Sequence, residues 1–114
     1  MAGHTHSKAA GMLEARKTCL QDESMNKTIY SKQSECLRST LVRLRQEAGL
    51  TQRDLAARLN REHGLVGRLE LGERRLDLIE FFWLCKACDS NPEKVTRELL
   101  RQFEKIQTDE EGRQ

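Results

Sequence analysis

The segment that decides the fold runs from residue 49 to residue 59 and reads Gly49-Leu50-Thr51-Gln52-Arg53-Asp54-Leu55-Ala56-Ala57-Arg58-Leu59. Glycine adopts a positive φ without strain, so Gly49 is suited to end a preceding helix. The Thr51 hydroxyl can accept a hydrogen bond from the amide of Asp54, and the Asp54 carboxylate can reach back, which together form a capping box. We therefore expect one helix to end at Gly49 and a short helix to follow Thr51.

The stretch before Gly49 has helical periodicity. Its apolar side chains recur at spacings of four, three and four residues, and they are Leu37, Leu41, Leu44 and Ala48. Because this spacing places them on one face, the pattern predicts an amphipathic helix that starts near Ser31. The polar residues before it lack a sustained period, which predicts a flexible N-terminal arm over 1–27.

After residue 59 the pattern predicts a tight turn and a second short helix. Residues 60–62 form the break, and the helix that follows begins at about His63 and stops near Gly72. The small side chain of Ala56 suits the close crossing of two short helices. The inward-facing apolar residues of this pair are Leu55, Leu59, Val66 and Leu69. Such a pair is typical of a helix-turn-helix, in which the exposed start of the second helix can enter a DNA groove.

Two further helices have recognisable starts. Asp77 followed by Glu80 three residues later predicts a second capping box. Asn91 before Pro92 predicts an N-cap and a first helical residue. The apolar stripe of this last helix is Val95, Leu99, Phe103 and Ile106. The stripe either closes the core of the monomer or packs against a partner helix.

The predicted domain organisation has four segments. The flexible arm over 1–27 precedes a helix-turn-helix domain over 28–95. A C-terminal helix extension, used for packing or dimerisation, covers 96–107, and a disordered tail covers 108–114.

Composition favours an all-α chain without a membrane span. Hydrophobic residues make up 37% and aromatic residues 4% of the 114 residues, so the core is small and best built from helix against helix. One proline and seven glycines are few for the turns of an all-β fold. No apolar run approaches the ~18 residues of a membrane span, and the N-terminus lacks the apolar stretch of a secretory signal. The expected location is the cytoplasm.

Positive charge is concentrated in the middle of the chain. The formal net charge is only +2, but residues 38–75 contain nine arginines, no lysine and five acids, which leaves +4 in this segment. Such a concentration is expected of a surface that faces phosphates. A solvated, salt-bridged helical surface would have the same composition, and charge alone does not separate the two interpretations.

Residues 28–100 resemble the lambda-repressor-like helix-turn-helix family, also called the xenobiotic-response-element (XRE) family. The residues that carry the resemblance, with x for any residue, are Leu41-x-x-Leu44-Arg45, Gly49-Leu50-Thr51-Gln52-x-x-Leu55-Ala56-x-x-Leu59, Val66-x-Arg68-Leu69-Glu70-x-Gly72-Glu73-Arg74-Arg75-Leu76-Asp77 and Ile79-Glu80-Phe81. The resemblance implies an all-α fold, a compact four- to five-helix DNA-binding domain with a C-terminal helix. It also implies a sequence-specific transcriptional regulator, a repressor of bacterial or phage type, that inserts a recognition helix into the major groove.

The resemblance further implies which residues contact DNA. Gln52 is expected to contact phosphate and brace the recognition helix, and Arg68 is expected to bond both acceptors of a guanine edge. The other expected contacts are Thr51, Arg53, Arg61, His63, Gly64, Gly67, Arg74 and Arg75. The arginines at 53, 61, 74 and 75 would bind phosphates and so position the protein without specifying a sequence. Family members usually carry polar side chains where this chain has Gly64 and Gly67, and a helix is destabilised by about 1 kcal/mol for each glycine relative to alanine.

Two hypotheses about function remain open. The first is a regulator that binds double-stranded DNA as a homodimer, because two half-sites one helical turn apart require a two-fold dimer. Its candidate dimer interface is Leu99, Phe103 and Ile106. The alternative is a protein-interaction module, an adaptor or antitoxin-like partner that keeps the fold with an eroded recognition helix. Gly64 and Gly67 favour the alternative, whereas the arginines and Thr51-Gln52 favour DNA.

No pattern indicates an enzyme, a cofactor or a metal site. The sequence has no Gly-rich phosphate loop and no nucleophile with a matched base. Cys85 and Cys88 have the spacing of a redox or metal pair, but no second such pair and no histidine pair at zinc-ligand spacing accompanies them. Buried packing is therefore the favoured interpretation of these cysteines, and a redox switch is the alternative.

Overall fold

The computed structural model describes residues 26–112, which form five α-helices and no β-strand. The helices are α1 (Lys27–Glu47), α2 (Gln52–Arg58), α3 (Leu65–Leu71), α4 (Leu78–Ala87) and α5 (Pro92–Gly112). The predicted all-α fold is confirmed. Residues 1–25 of the expected flexible arm and the last two residues of the expected tail lie outside the described residues.

Three of the five helix starts, those of α2, α4 and α5, are formed by caps that the sequence predicts. Thr51 and Asp54 form both hydrogen bonds of a capping box, at 3.0 and 3.1 Å. Asp77 and Glu80 form a second one, at 2.7 and 3.2 Å. The Asn91 side chain accepts from two amides in the first turn of α5. These caps satisfy backbone amides that a helix start leaves without an internal partner.

The first four helices all end in the same way. After each of them a residue with positive φ turns the chain, and these residues are Gly49 (73°), Asn60 (58°), Gly72 (80°) and Asp89 (57°). The amide of the next residue then donates to the carbonyl five residues earlier, at 2.9–3.1 Å, as in a Schellman motif. The predicted stops at Gly49 and Gly72 are confirmed. Asparagine and aspartate are the non-glycine residues that most readily adopt this conformation.

The two long helices, α1 and α5, lie antiparallel, and both are longer than predicted. α1 begins at Lys27, and α5 continues to Gly112, so residues 108–112 are helical and the prediction of a disordered tail is wrong for them. The reason is mutual support, since Lys32 in α1 pairs with Glu110 in α5. Further contacts between the two helices are Gln33 Nε2 to Phe103 O (3.1 Å), Cys36 Sγ to Gln102 Oε1 (2.8 Å) and Arg43 to Glu98 (3.5 Å).

All five helices contribute to one hydrophobic core. Its buried members are Leu41, Leu44, Leu55, Ala56, Leu65, Val66, Leu69, Phe81, Leu84, Cys85, Cys88 and Leu99. Ala56 is 0% exposed on α2, which packs against α3, as expected for a small residue at a close helix crossing. The core therefore holds the two short helices against the three longer ones.

The cysteine pair of α4 has the packing role that the sequence favours. Cys85 and Cys88 are buried in the core, at 0% and 4% exposed. Burial raises the pKa of the Cys85 thiol to about 11, so this thiol stays protonated at neutral pH. Because the thiolate is the reactive form, neither burial nor protonation favours redox chemistry at this pair.

Candidate nucleic-acid interface

The helix-turn-helix consists of α2, α3 and the connection between them. α3 begins at Leu65, so the prediction that it starts at about His63 is wrong, and His63 and Gly64 lie in the turn. The positive φ of Asn60 directs the chain away from the axis of α2, and helical hydrogen bonding resumes only after Gly64. The buried side of α3 carries Leu65, Val66 and Leu69, which leaves the Arg68 side chain on the accessible side.

A buried ion pair connects α1 to α3. Arg45 donates through Nε to Glu70 Oε2 at 2.7 Å and through Nη2 to Glu70 Oε1 at 3.2 Å. The two side chains are only 14% and 7% exposed. Arg45 also donates to the Leu50 carbonyl at 3.0 Å, which ties down the turn between α1 and α2. The paired geometry of guanidinium and carboxylate therefore sets the position of α3 relative to α1.

Gln52 joins α2 to the same carboxylate. Its Nε2 donates to Glu70 Oε1 at 2.8 Å, so the first residue of α2 is bonded to the last turn of α3. The Gln52 amide lies against Gly67, where a Cβ atom would come within 3.4 Å of Gln52 Oε1. A side chain beginning at residue 67 would thus be in ordinary van der Waals contact with the glutamine that spans the two helices.

Arg68 has an acidic partner in the turn before α3. Its Nη2 donates to Glu62 Oε1, with the two side chains 42% and 64% exposed. The guanidinium lies over Gly64, since a Cβ atom at that position would be 2.7 Å from Arg68 Nη1. Gly64 is the N-cap residue of α3 and forms no side-chain cap.

Two of the expected phosphate contacts converge on one carboxylate. Arg74 donates to both oxygens of Glu80 at 3.0 and 2.8 Å, and Arg61 donates to Glu80 Oε2 at 3.3 Å. These bonds, that of Arg74 first, lower the pKa of the Glu80 carboxyl from 4.5 to about 2. The same hydrogen bond raises the pKa of Arg74. Both arginines therefore already have an acidic partner, which residue spacing does not predict.

The remaining expected contacts are more accessible. Arg53, His63 and Arg75 are exposed, and within residues 26–112 their side chains form no hydrogen bond or ion pair. Thr51 is also exposed, but its hydroxyl accepts from the amide of Asp54, and its bonds to Asp54 lower the pKa of that carboxyl. The structure thus divides the expected site residues by their partners. Gln52 binds Glu70, Arg68 binds Glu62, and Arg61 and Arg74 bind Glu80. Arg53, His63 and Arg75 have no side-chain partner among the described residues.

The acids that organise this surface are absent from the contacts expected from the sequence. Glu70 enters there only as part of a motif, and Glu80 only as a capping residue and as part of a motif. Arg45 and Glu70 are opposite charges next to apolar stripes on their helices, and this is the signal that could have indicated a buried pair. For Glu80 no comparable signal exists, because its bonds to Arg61 and Arg74 arise from a turn geometry that spacing does not define.

The residues expected at a dimer interface mostly face the monomer. Leu99 is 5% exposed and belongs to the core, and Phe103 packs against that core. Ile106 is half-buried. This assignment is therefore wrong for Leu99, because α5 uses its stripe against α1 and α4. The side chains left exposed in this region are Leu78 (76%), Phe82 (42%) and Leu100 (56%), which line a groove between α4 and α5.

Within residues 26–112, no group of three or more histidine, cysteine or acidic side chains is arranged to hold a metal ion. In the same part of the chain, no helix has the length and apolarity needed to cross a membrane.

Replacing Glu70 with alanine should lower the free energy of unfolding by about 1.5–3 kcal/mol, because the largely buried Arg45 guanidinium would lose its charged hydrogen-bond partner. Arg43→Ala is the matched control, since it breaks two exposed pairs, with Glu47 and Glu98, and should cost no more than about 1 kcal/mol. Urea unfolding followed by circular dichroism measures both. Equal losses would contradict the central position given to Glu70.

Glu80 should make stability depend on acid pH. Its pKa in the folded protein, about 2, lies below its ordinary value of 4.5, so the stabilisation is complete above pH 4.5 and is lost as pH falls towards 2. The difference in unfolding free energy between the unchanged protein and Glu80→Gln should therefore shrink over this range. Glu73→Gln, which changes an exposed acid with no partner among the described residues, should show no such trend. A difference that stays constant from about pH 6 to about pH 2.5 would contradict the pairing.

The comparisons with known proteins agree with this geometry. A family model described as a helix-turn-helix domain matches residues 37–100. The solved structure of an XRE-family like protein from Pseudomonas syringae pv. tomato str. DC3000 is similar, with a TM-score of 0.64 and 38% identity, over 67% of this chain and 93% of that chain. No protein with a curated description is significantly similar. The resemblance stated from the sequence motifs is confirmed, and the chain belongs to the XRE family of lambda-repressor-like helix-turn-helix regulators.

Proposed function

We propose that this protein is a sequence-specific DNA-binding repressor that places the accessible side of α3 in the major groove and acts in the cytoplasm of a bacterial or phage-infected cell. The observation that carries the proposal is the bonding of Gln52 and Arg45 to Glu70. Side chains reach base edges only from a helix that is held rigidly at the correct angle. Here one carboxylate joins α1, α2 and α3, which supplies that rigidity.

The DNA contact proposed for each arginine depends on whether its side chain already has an acidic partner in the protein. Arg53 and Arg75 are assigned to phosphates, because they have no partner among the described residues. Arg61 and Arg74 contribute positive potential from the position at which Glu80 holds them. Arg68 is assigned to a guanine edge, which a guanidinium can bond through two parallel hydrogen bonds.

The residues at the helix starts complete the proposed contacts. Gln52 keeps one of its two amide hydrogens for a phosphate, since only one is used by Glu70. Thr51 lies next to it at the same end of α2. His63 is exposed in the turn and can donate to a base or a phosphate. Gly64 and Gly67 bring no side chain of their own to DNA, and they lie beside the proposed contact residues Arg68 and Gln52.

Selection from a random duplex library at near-physiological salt tests the proposal. A recovered two-fold-symmetric site, with half-sites about ten base pairs apart, would support a sequence-reading dimer. Recovery of nothing above background would contradict sequence-specific binding and would favour the alternative of a protein-interaction module.

Arg53→Ala and Arg75→Ala should each reduce the salt dependence of duplex binding. The slope of log affinity against log salt should become shallower by about 0.9 for each phosphate contact that the substitution removes. Fluorescence anisotropy over a salt series measures the slope. Arg43→Ala is the control with the same change of charge, because Arg43 faces α5 and pairs with Glu98. The same slope change in all three variants would show a general charge effect and contradict these contacts.

We also propose that the protein is a homodimer, and that its interface is the groove lined by Leu78, Phe82 and Leu100. These side chains are exposed in the monomer, and apolar side chains that cluster in this way are typical of interaction surfaces. The groove also carries Glu93 and Arg97. In a two-fold interface each surface meets its own copy, so neighbouring charges of opposite sign can pair across the axis. These features favour a second copy of this chain as the occupant.

Leu100→Glu should shift the protein towards the monomer, because the interface would bury an unpaired carboxylate. Sedimentation equilibrium at several protein concentrations measures the shift. Leu71→Glu is the control, since Leu71 is 71% exposed on α3 and does not line the groove. Dimerisation that is unchanged in Leu100→Glu would rule out this surface.

One observation favours the alternative of a protein-interaction module. On α4, Ile79 and Trp83 are also exposed, at 71% and 57%, so the helix presents apolar side chains on more than one side. A regulator that binds DNA and an adaptor that binds a protein differ in salt dependence. Steep weakening with salt indicates phosphate contacts, whereas apolar docking is little affected by salt.

A further inference from the structure

Glu62 occupies the position from which it controls the proposed base-reading arginine. It pairs with Arg68 in the turn before α3, and both side chains are accessible, at 64% and 42% exposed. We infer that Glu62 is a specificity-determining residue: it keeps Arg68 in complexes with unrelated DNA and releases it only to a base edge that offers two acceptors. This inference rests on the proposed function, since it assigns a further residue to the same DNA surface.

The local geometry supports a defined contact. The Arg68 guanidinium folds back over Gly64, where a Cβ atom would lie 2.7 Å from Nη1. Gly64 has φ −80° and ψ −6°, a conformation open to any residue, so its glycine is not needed for the backbone. The absence of a side chain at residue 64 leaves room for the guanidinium in this position next to Glu62. The glycine that suggests an eroded recognition helix thus has a role in placing Arg68.

The relative strengths of the competing contacts explain how such a pair discriminates. An exposed ion pair shifts an equilibrium by about 1.4- to 5-fold. A bidentate arginine–guanine contact shifts it by about 5- to 150-fold, so a guanine edge displaces Glu62. A single exposed phosphate offers Arg68 only another exposed ion pair, so its release from Glu62 brings no net gain in affinity. The Glu62 charge also repels the DNA backbone, and repulsion of this kind weakens binding to the wrong partners.

Glu62→Gln tests the inference on a short duplex of mixed sequence. Released from its partner, Arg68 gains a phosphate contact in these complexes, so affinity should rise about 1.4- to 5-fold and the salt slope should steepen by about 0.9. Glu73→Gln is the matched control, because it removes the same charge from an exposed acid that has no partner among the described residues. Glu73→Gln should leave the salt slope unchanged.

A double-mutant cycle separates the pair from general charge effects. In the Arg68→Ala background, Glu62→Gln should have the same small effect as Glu73→Gln, because the residue that it restrains is gone. An equal effect of Glu62→Gln with and without Arg68 would overturn the inference. So would equal effects of the two glutamine variants in a protein that still binds the duplex, and in both cases the proposed function would stand. If the unchanged protein binds no duplex, both the proposed function and this inference fail.

The free protein provides a readout that does not depend on DNA. Rotation of the Arg68 guanidinium should be hindered in nitrogen-15 spectra of the unchanged protein and free in Glu62→Gln. Gly64→Ala should make rotation freer as well, because the added methyl carbon would lie 2.7 Å from Nη1 and would push the guanidinium out of this position. Rotation that is equally free in all three proteins would show that the pair does not persist in solution and would overturn the inference.

Discussion

The bidentate pair between Arg45 and Glu70 is the interaction on which the rest of the structure depends. Its two hydrogen bonds are 2.7 and 3.2 Å long, and its side chains are only 14% and 7% exposed. A buried ion pair adds little net stability compared with apolar packing, but it tolerates few alternative geometries. Gln52 binds the same carboxylate, so a single side chain on α3 fixes the relation among three helices. The rigid presentation of α3 is a consequence of this arrangement.

A second feature of the structure is that acidic side chains pair with some arginines and leave others without a partner. The sequence has a strongly basic central segment, yet in the structure most of its arginines face a carboxylate. Glu70 binds Arg45 inside the protein, whereas Glu80 and Glu62 bind arginines at the surface. A basic surface that is fully available to phosphates would bind any DNA. The observed pairing lowers the available positive charge, so that the proposed DNA complex would depend more strongly on the few contacts that can read a sequence.

The two glycines near α3 are interpreted differently from the sequence and from the structure. From the sequence alone, Gly64 and Gly67 indicate a recognition helix that lacks two side chains and is less stable. In the structure Gly67 lies against the amide of Gln52, and Gly64 lies under the guanidinium of Arg68. Both positions are thus used by a neighbouring polar side chain. Their presence is compatible with a working recognition surface and does not by itself favour a module without DNA binding.

The sequence by itself determined the all-α class, the family, the capping boxes and the helix ends at Gly49 and Gly72. These features depend on hydrogen bonds that span three to five residues, which spacing defines directly. The tertiary structure decided that Leu99 belongs to the core, that α5 continues to Gly112, and which acid holds each arginine. Those outcomes depend on side chains far apart in the chain, such as Arg45 and Glu70, 25 residues apart, and Lys32 and Glu110, 78 residues apart. Local periodicity contains no information about which surfaces meet after folding, and for that physical reason only the packed structure could assign these contacts.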